Sequence, residues 1–328
     1  ASLYGTVKLL EPDEQARIRA LIINKFRGDV EILRPGLAQL EELTGKPVAG
    51  VVPYRHFDID DEDSLSTRLD GDARGAAVQI AVVRLPRLSN FTDFAALGRV
   101  PGVGVSYADK SAQLEGVDLI ILPGTKATLA DLKWLRESGM EAQILKQHAA
   151  GTLVFGVCGG YQMMGRTVSD PENTEGGGSL RGLGLLPVDT VFHPRKTTTQ
   201  ARGTVGSLSG VLAELSGAAV EGYEIHMGET ARDADALPFC VLTRVDGTTV
   251  ADGCQAENAY GTYLHGVFDA PGLALGLAQE LAACKGISLD DAVCDTAQIK
   301  EREYDRLADA VRQALDMDLI YRILEGNA

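Results

Sequence analysis

The sequence predicts an α/β fold built on an open, mostly parallel sheet with helices on both faces. Short apolar runs of strand length alternate with helical segments over residues 78–157, and the same alternation occurs earlier, over residues 20–53. Alternating strands and helices with short connections are typical of parallel sheets. In such sheets ligands bind beyond the carboxyl ends of the strands.

The first of these regions predicts one strand–helix–strand unit. Residues 20–24 form an apolar strand, and Asp29 follows as the N-cap of a helix that runs to Leu43 and ends at Gly45. Residues 47–53 form the second strand. Because the connections are short, we expect the two strands to be parallel.

The longer alternating region predicts the main sheet. Its predicted strands are residues 78–85, 103–107, 117–122 and 152–157, and its predicted helices are residues 90–97, 128–139 and 140–150. From residue 182 to 268 shorter segments rich in Thr and Gly indicate mixed or antiparallel strands. Residues 297–324 show helical periodicity with charged faces.

These patterns divide the chain of 328 residues into more than one part. Residues 1–56 form a first part, and the acidic segment 57–76 is predicted to be a linker. A main domain over residues 77–275 is followed by a C-terminal helical segment, residues 276–328.

Composition and charge disfavour several classes of partner. The chain has 31 basic and 46 acidic residues and a formal net charge of −15, so it repels phosphate backbones and anionic lipids. We therefore expect neither nucleic acid nor a membrane as a partner. Five cysteines without a C-x-x-C pair disfavour a disulfide framework or a zinc ribbon, and we expect no metal. With no leader and no apolar run of about 18 residues, a cytoplasmic location is expected.

Residues 152–165 predict a catalytic cysteine. An apolar strand leads directly into Cys158, and Gly156, Gly159, Gly160 and Gly165 surround it before and within a helix-forming stretch. This strand–turn–helix pattern is typical of a nucleophile elbow, in which small neighbours relieve a strained backbone conformation. The N–H group of Gly159 is a candidate donor to a developing oxyanion.

This elbow resembles that of the class I glutamine amidotransferases, whose motif is G-x-C-x-G-x-Q. Gly156, Cys158, Gly160 and Gln162 match it in register. The resemblance implies a flavodoxin-like sheet in which Cys158 attacks the side-chain amide of glutamine, giving a glutamyl thioester and ammonia. It also implies that Tyr161 and Gln162 help to bind glutamine.

The same resemblance indicates the second oxyanion donor and the base. Gly124 follows an apolar strand in a Pro-Gly turn, and His265 ends a late strand in the family's G-x-x-x-H context. Most class I enzymes carry a Glu two residues after this His, where this chain has Val267. Asp269, Glu224 or a backbone carbonyl are the alternatives for orienting the ring.

Further segments resemble the amidotransferase domains of cobyrinic and cobyric acid synthases. Residues 223–228, YEIHMG, match both groups, and residues 21–29, 44–54 and 122–139 favour the cobyric acid synthase family. The resemblance implies ATP-dependent amidation, with ammonia from glutamine, of the b, d, e and g carboxylates of adenosylcobyrinic a,c-diamide.

The resemblance also bears on cofactors and on the acceptor. The family needs ATP and Mg²⁺ in a domain similar to dethiobiotin synthetase, but residues 1–56 contain no G-x-x-x-x-G-K-[ST] loop and resemble only its final part. We therefore expect no cofactor bound by this chain alone. Asn24 and Lys25 resemble the segment that recognises adenine. Candidate acceptor-side residues are Tyr223, Glu224 and His226.

Three other functions fit parts of the same pattern. Cobyrinic acid a,c-diamide synthase, or another glutamine-dependent ligase with the same domain, would share the elbow. A stand-alone cysteine hydrolase would share it too, without a synthetase. In a non-catalytic module the cysteine would be retained only as part of the scaffold.

Overall fold

A computed structural model describes residues 1–59, 73, 75–270, 272–289 and 296–326. Most of the predicted linker 57–76, namely residues 60–72 and 74, lies outside the described residues. The described chain forms two compact units. The smaller comprises Ala1–Ile59 with Gln298–Ala328, and the larger comprises Asp60–Ala297.

The regular elements follow the predicted order closely. The helices are α1 (Ser2–Lys8), α2 (Pro12–Arg17), α3 (Val30–Thr44), α4 (Ala95–Gly98), α5 (Thr128–Glu137), α6 (Met140–Ala149), α7 (Gly159–Met164), α8 (Leu273–Ala283), α9 (Thr296–Ala314) and α10 (Met317–Leu324). The strands are β1 (Leu21–Phe26), β2 (Val48–Pro53), β3 (Val78–Val83), β4 (Val103–Ala108), β5 (Leu119–Leu122), β6 (Leu153–Val157), β7 (Thr167–Asp170), β8 (Gly178–Arg181), β9 (Val188–Val205), β10 (Ala219–Arg232), β11 (Cys240–Arg244), β12 (Thr249–Asp252), β13 (Cys254–Ala256), β14 (Ala259–Thr262) and β15 (Leu264–His265). Short 3-10 helices cover Phe91–Phe94, Ser111–Leu114, Gly210–Leu215 and Val267–Asp269.

The smaller unit confirms the predicted parallel strand–helix–strand arrangement. Strands β1 and β2 are parallel, and α3 connects them. The Asp29 carboxylate accepts a hydrogen bond from the Glu31 N–H (2.9 Å), and Gly45 ends the helix with φ +68°. Both are the cap residues that the sequence indicates, an N-cap acid and a left-handed glycine.

The C-terminal helices pack within this smaller unit. The backbone N–H of Asp316 donates to the Ala49 carbonyl (2.7 Å), and Leu315 forms an isolated bridge with Gly50. A Cβ at Gly50 would overlap the Ala314 carbonyl oxygen, so this close approach requires glycine. Helix α8, by contrast, lies in the larger unit. The compact units therefore divide the predicted segment 276–328 in two.

The larger unit contains the predicted open sheet. Its order is β13-β14-β6-β5-β3-β4, parallel except for β13, which is antiparallel to β14. Every residue of β5 is fully buried, as expected for a central parallel strand. Helix α4 contacts α8, while α5 contacts α6 and α7, so the helices pack in two groups.

A second sheet accounts for the Thr- and Gly-rich region, and it confirms the prediction of mixed and antiparallel strands. Its order is β12-β11-β9-β10-β15, with β7 paired to β9 and β8 paired to β7. Strand β14 belongs to the first sheet and β15 to the second, with Tyr263 between them. The chain therefore passes from the first sheet to the second at Tyr263, and His265 lies where the two sheets meet.

Candidate active site

Cys158 lies in the strand–turn–helix elbow that the sequence predicts. It joins β6 to α7 with φ +52° and ψ −111°, a strained conformation for a residue with a side chain. A Cβ at Gly156 would lie 2.6 Å from Met164 Sδ, and one at Gly160 would overlap the Leu122 carbonyl oxygen. The glycines are therefore required by close packing around the elbow.

His265 lies beside Cys158 and is almost completely buried. The Nδ1 atom of the imidazole lies 2.6 Å from Asp93 Oδ2, and the Cys158 thiol donates to the Ile225 carbonyl (3.6 Å). The second Asp93 oxygen accepts the backbone N–H of Gly266 (3.2 Å). One carboxylate thus holds both the ring and the backbone that follows it, and Nδ1–H is the donor to Asp93.

Asp93 is the functional residue that the sequence did not reveal. Of the alternatives for orienting the ring, Glu224 is paired with Arg244 instead, and Asp269 lies on the short 3-10 helix after His265. Asp93 precedes His265 by 172 positions and is 4% exposed. The available signal was an acidic residue between Phe91 and Phe94 in an apolar segment.

Electrostatics favour the protonated form of His265. Burial alone would lower the pKa of the imidazole, but the hydrogen bond to Asp93 and the neighbouring Cys158 raise it to about 10. At neutral pH the ring is therefore an imidazolium, which can donate a proton.

The two candidate oxyanion donors lie at the same place. Gly124 follows β5, and a Cβ on it would lie 3.1 Å from His265 Cε1. Gly159 begins α7, and a Cβ on it would lie 2.7 Å from Thr125 Cγ2. The structure therefore brings Gly124 and Gly159 together with Cys158 and His265. The N–H of Gly159, at the first position of a helix, has no acceptor within that helix.

The predicted glutamine-binding residues lie behind the elbow. The Gln162 amide donates to the Met227 carbonyl (3.1 Å) and the Tyr263 hydroxyl (3.0 Å) and accepts from the Thr128 hydroxyl (3.2 Å). Tyr161 is 2% exposed and makes an edge contact with Tyr263. Both donors of Gln162 are already satisfied within the protein, so it joins the elbow to β10 and α5.

The three predicted acceptor-side residues separate onto two faces of β10. Tyr223 stacks on the His265 ring, with centroids 5.2 Å apart. Glu224 points to the other face, where Arg244 donates to both of its oxygens (2.6 and 2.9 Å). His226 shares that face and stacks on Tyr263.

Glu224 and His226 border a cavity of about 970 Å³. Burial would raise the pKa of the Glu224 carboxyl, but the neighbouring His226 and Arg244 lower it to about 2. The carboxylate is therefore charged and paired at neutral pH.

Asn24 and Lys25 lie in the smaller unit at the end of β1. Both are exposed, and the Lys25 N–H donates to the Asn24 side chain (2.9 Å) with Lys25 at φ +55°. Within the described ranges, no group of three His, Cys, Asp or Glu side chains is arranged to hold a metal ion. Among those same residues, no helix is both long enough and apolar enough to cross a bilayer.

Known proteins are similar in sequence to nearly the whole of this chain. A family model described as the CobB/CobQ-like glutamine amidotransferase domain matches residues 79–272. A cobyric acid synthase of Ruminiclostridium cellulolyticum is 47% identical over 99% of this chain and 64% of its own length. One from Lachnoclostridium phytofermentans is 47% identical over 99% and 66%, and one from Salmonella typhimurium is 46% identical over 100% and 65%. The chain thus spans about two thirds of the length of these relatives.

Solved structures are more distant. A crystal structure of a glutamine amidotransferase aligns with 62% of this chain and 98% of its own, at 18% identity and a TM-score of 0.44. The sequence match is decisive for the family, because it spans more than half of the chain: this protein belongs to the CobB/CobQ-like glutamine amidotransferase family.

Proposed function

We propose that this chain hydrolyses glutamine at Cys158 and supplies the ammonia for an amidation. The observation that carries the proposal is a strained elbow at which Cys158, His265 and Asp93 are all buried and Asp93 is hydrogen-bonded to His265. A nucleophile, a base and a carboxylate that orients the base are the parts that acyl transfer requires.

The geometry supports a two-step reaction. The Cys158 thiolate attacks the side-chain carbonyl carbon of glutamine, and the N–H groups of Gly124 and Gly159 stabilise the oxyanion. The His265 imidazolium gives its proton to the leaving nitrogen, so ammonia departs and a thioester remains. His265, now neutral, removes a proton from water, which attacks the thioester and releases glutamate and the Cys158 thiolate.

For a protein that contains this chain and has the full length of these relatives, referred to below as the longer protein, we propose that this ammonia amidates a cobyrinic acid-type acceptor. The support is the similarity to proteins named cobyric acid synthase over nearly the whole chain. The specific acceptor we propose is adenosylcobyrinic a,c-diamide, amidated at its b, d, e and g carboxylates. Glu224 and His226, beside the cavity of about 970 Å³, remain candidates for the acceptor side. Tyr223, which stacks on His265, borders a second cavity of about 830 Å³ and also remains a candidate.

ATP and Mg²⁺ are implied for the longer protein, but residues 1–59 do not fit them. Asn24 and Lys25 are exposed at the end of β1, and no glycine-rich loop of phosphate-binding N–H groups occurs among these residues. We therefore derive no step through ATP in this chain. With ammonium, ATP and Mg²⁺ supplied, this chain should not amidate the acceptor.

The test measures glutamine hydrolysis and, separately, amidation with ammonium, which bypasses the need for hydrolysis at Cys158. Cys158→Ser should abolish ammonia release from glutamine, whereas Cys284→Ser, which alters an exposed cysteine, should not. In the longer protein, Cys158→Ser should abolish amidation with glutamine and preserve it with ammonium. Comparing cobyrinic acid with its a,c-diamide as acceptor distinguishes the two synthase types. Ammonia release by Cys158→Ser above about a tenth of the original rate would refute the proposal.

A further inference from the structure

Tyr223 lies over the face of His265. The two residues are direct cross-strand partners in the pairing of β10 with β15, so their side chains project to the same face. Their ring centroids are 5.2 Å apart, and the ring planes differ by 16°. The phenol ring therefore covers one face of the imidazole, while Asp93 holds its edge at Nδ1.

Asn90 fixes the position of this phenol ring. Its side-chain amide donates to the Tyr223 hydroxyl at 2.6 Å. Asn90 has φ +52° and immediately precedes the 3-10 helix that carries Asp93, whose N–H donates to the Asn90 carbonyl (3.0 Å). The four-residue segment from Asn90 to Asp93 therefore acts on the His265 ring in two ways. Asp93 binds the ring directly through its carboxylate, and Asn90 holds the Tyr223 phenol that stacks on it.

We propose that Tyr223, held by Asn90, is a positioning residue that keeps His265 protonated and its ring fixed for proton transfer to the leaving ammonia. This inference rests on the proposed glutaminase function. A cation within about 6 Å of an aromatic centroid is attracted by the negative face of that ring, and the attraction strengthens in a desolvated site. His265, at 1% exposure, meets both conditions.

Other ionisable groups around the ring are accounted for. Asp93 is hydrogen-bonded to the imidazole, Cys158 acts on its pKa, and Asp269 lies on the 3-10 helix after it. Burial, followed by the charge of Asp93, raises the pKa of Tyr223 to about 12, so the phenol is neutral throughout the neutral range. Glu224, on the other face of β10, is paired with Arg244.

The test uses Tyr223→Leu, which removes the aromatic face, and Tyr223→Phe, which keeps the face but loses the hydroxyl. The readouts are NMR titration of the His265 Cε1–H signal, and kcat and KM for glutamine as functions of pH. With Leu we expect the His265 pKa to fall by about one unit and kcat by about 10-fold, with KM less affected. Phe should restore most of both. Tyr304→Leu, which alters an exposed tyrosine of the smaller unit, is the control.

A His265 titration in Tyr223→Leu identical to that of the unaltered protein would overturn the proposal. If Tyr223→Leu does not fold, Asn90→Ala frees the same ring and should lower the His265 pKa by a smaller amount; an unchanged titration would again overturn the inference. The NMR titration does not depend on turnover. If the unaltered chain releases no ammonia, the glutaminase proposal fails, and the titration still decides the role of Tyr223.

Discussion

Asp93→Asn should impair glutamine hydrolysis while changing the shape of the site very little. The Asp93 carboxylate accepts two hydrogen bonds, from His265 Nδ1–H at 2.6 Å and from the Gly266 N–H at 3.2 Å. An asparagine has the same size but offers one oxygen, so one of the two donors must face an N–H₂ group. If the side-chain N–H₂ group of the introduced asparagine donates to His265 Nδ1, that nitrogen must be an acceptor, so the imidazole proton moves to Nε2.

Either outcome has a calculable size. Loss of a charge-assisted hydrogen bond costs about 1.5–3 kcal/mol, which corresponds to about 10- to 150-fold in rate. A misplaced general base lowers the rate by about 10²- to 10⁴-fold. We expect kcat/KM for glutamine to fall by about 10²-fold, where the two ranges overlap. Asp269→Asn, at the carboxylate nearest in sequence to His265, should have a much smaller effect.

The pH dependence gives an independent check. The folded-state pKa of His265 is raised to about 10 from 6.5, so its stabilising contribution is complete below pH 6.5 and is lost as pH rises through about 10. Without the Asp93 charge that pKa falls, so the alkaline loss of both activity and stability should begin at lower pH. An Asp93→Asn protein with unchanged kcat/KM and an unchanged alkaline limb would refute our account of Asp93.

Three further substitutions test neighbouring parts of the structure. Gly124→Ala places a Cβ 3.1 Å from His265 Cε1 and should lower kcat by about 10²-fold, measured as ammonia release. Val267→Glu puts a carboxylate at a fully buried position and should destabilise the fold by several kcal/mol in urea unfolding, roughly 3 or more, rather than improve catalysis. The pKa of Glu224 is lowered from 4.5 to about 2, so its ionised carboxylate contributes fully to stability above pH 4.5 and this contribution is lost as the pH falls through about 2. Arg244→Met should make stability depend less on pH in this acid range.

Each of these has a control or a contradicting result. Gly36→Ala adds a methyl group with no neighbour closer than 3.9 Å and should leave kcat unchanged. A Val267→Glu protein as stable as the original would contradict the burial argument. An acid unfolding curve unaffected by Arg244→Met would show that the pair with Glu224 contributes nothing.

Local signals explain what the sequence predicts well. The elbow is visible because an apolar strand, a cysteine and closely spaced glycines are contiguous, and the backbone at Cys158 has the expected strain. The helix limits at Asp29 and Gly45 follow from cap chemistry within a few residues. Such features depend on neighbours in the chain, so the amino-acid sequence is enough to find them.

Contacts between distant segments explain what the sequence does not show. Asp93 reaches His265 across 172 positions, and nothing local to either residue indicates the pairing. The packing of α9 and α10 with the first residues of the chain depends likewise on a contact of Leu315 with Gly50. Strand alternation was a usable signal for residues 223–226: because neighbouring residues of a strand project to opposite faces, the alternation alone separates Tyr223 from Glu224.

The central claim is that Cys158 is the nucleophile that glutamine reaches, and covalent labelling tests it most directly. The chain would be incubated with 6-diazo-5-oxo-L-norleucine, a glutamine analogue that alkylates nucleophilic thiols, and analysed by intact-mass and peptide mass spectrometry. Our account predicts one adduct per chain at Cys158, suppressed by excess glutamine and absent from Cys158→Ser. An adduct at the exposed Cys284 instead, or labelling of Cys158 that glutamine does not suppress, would contradict it.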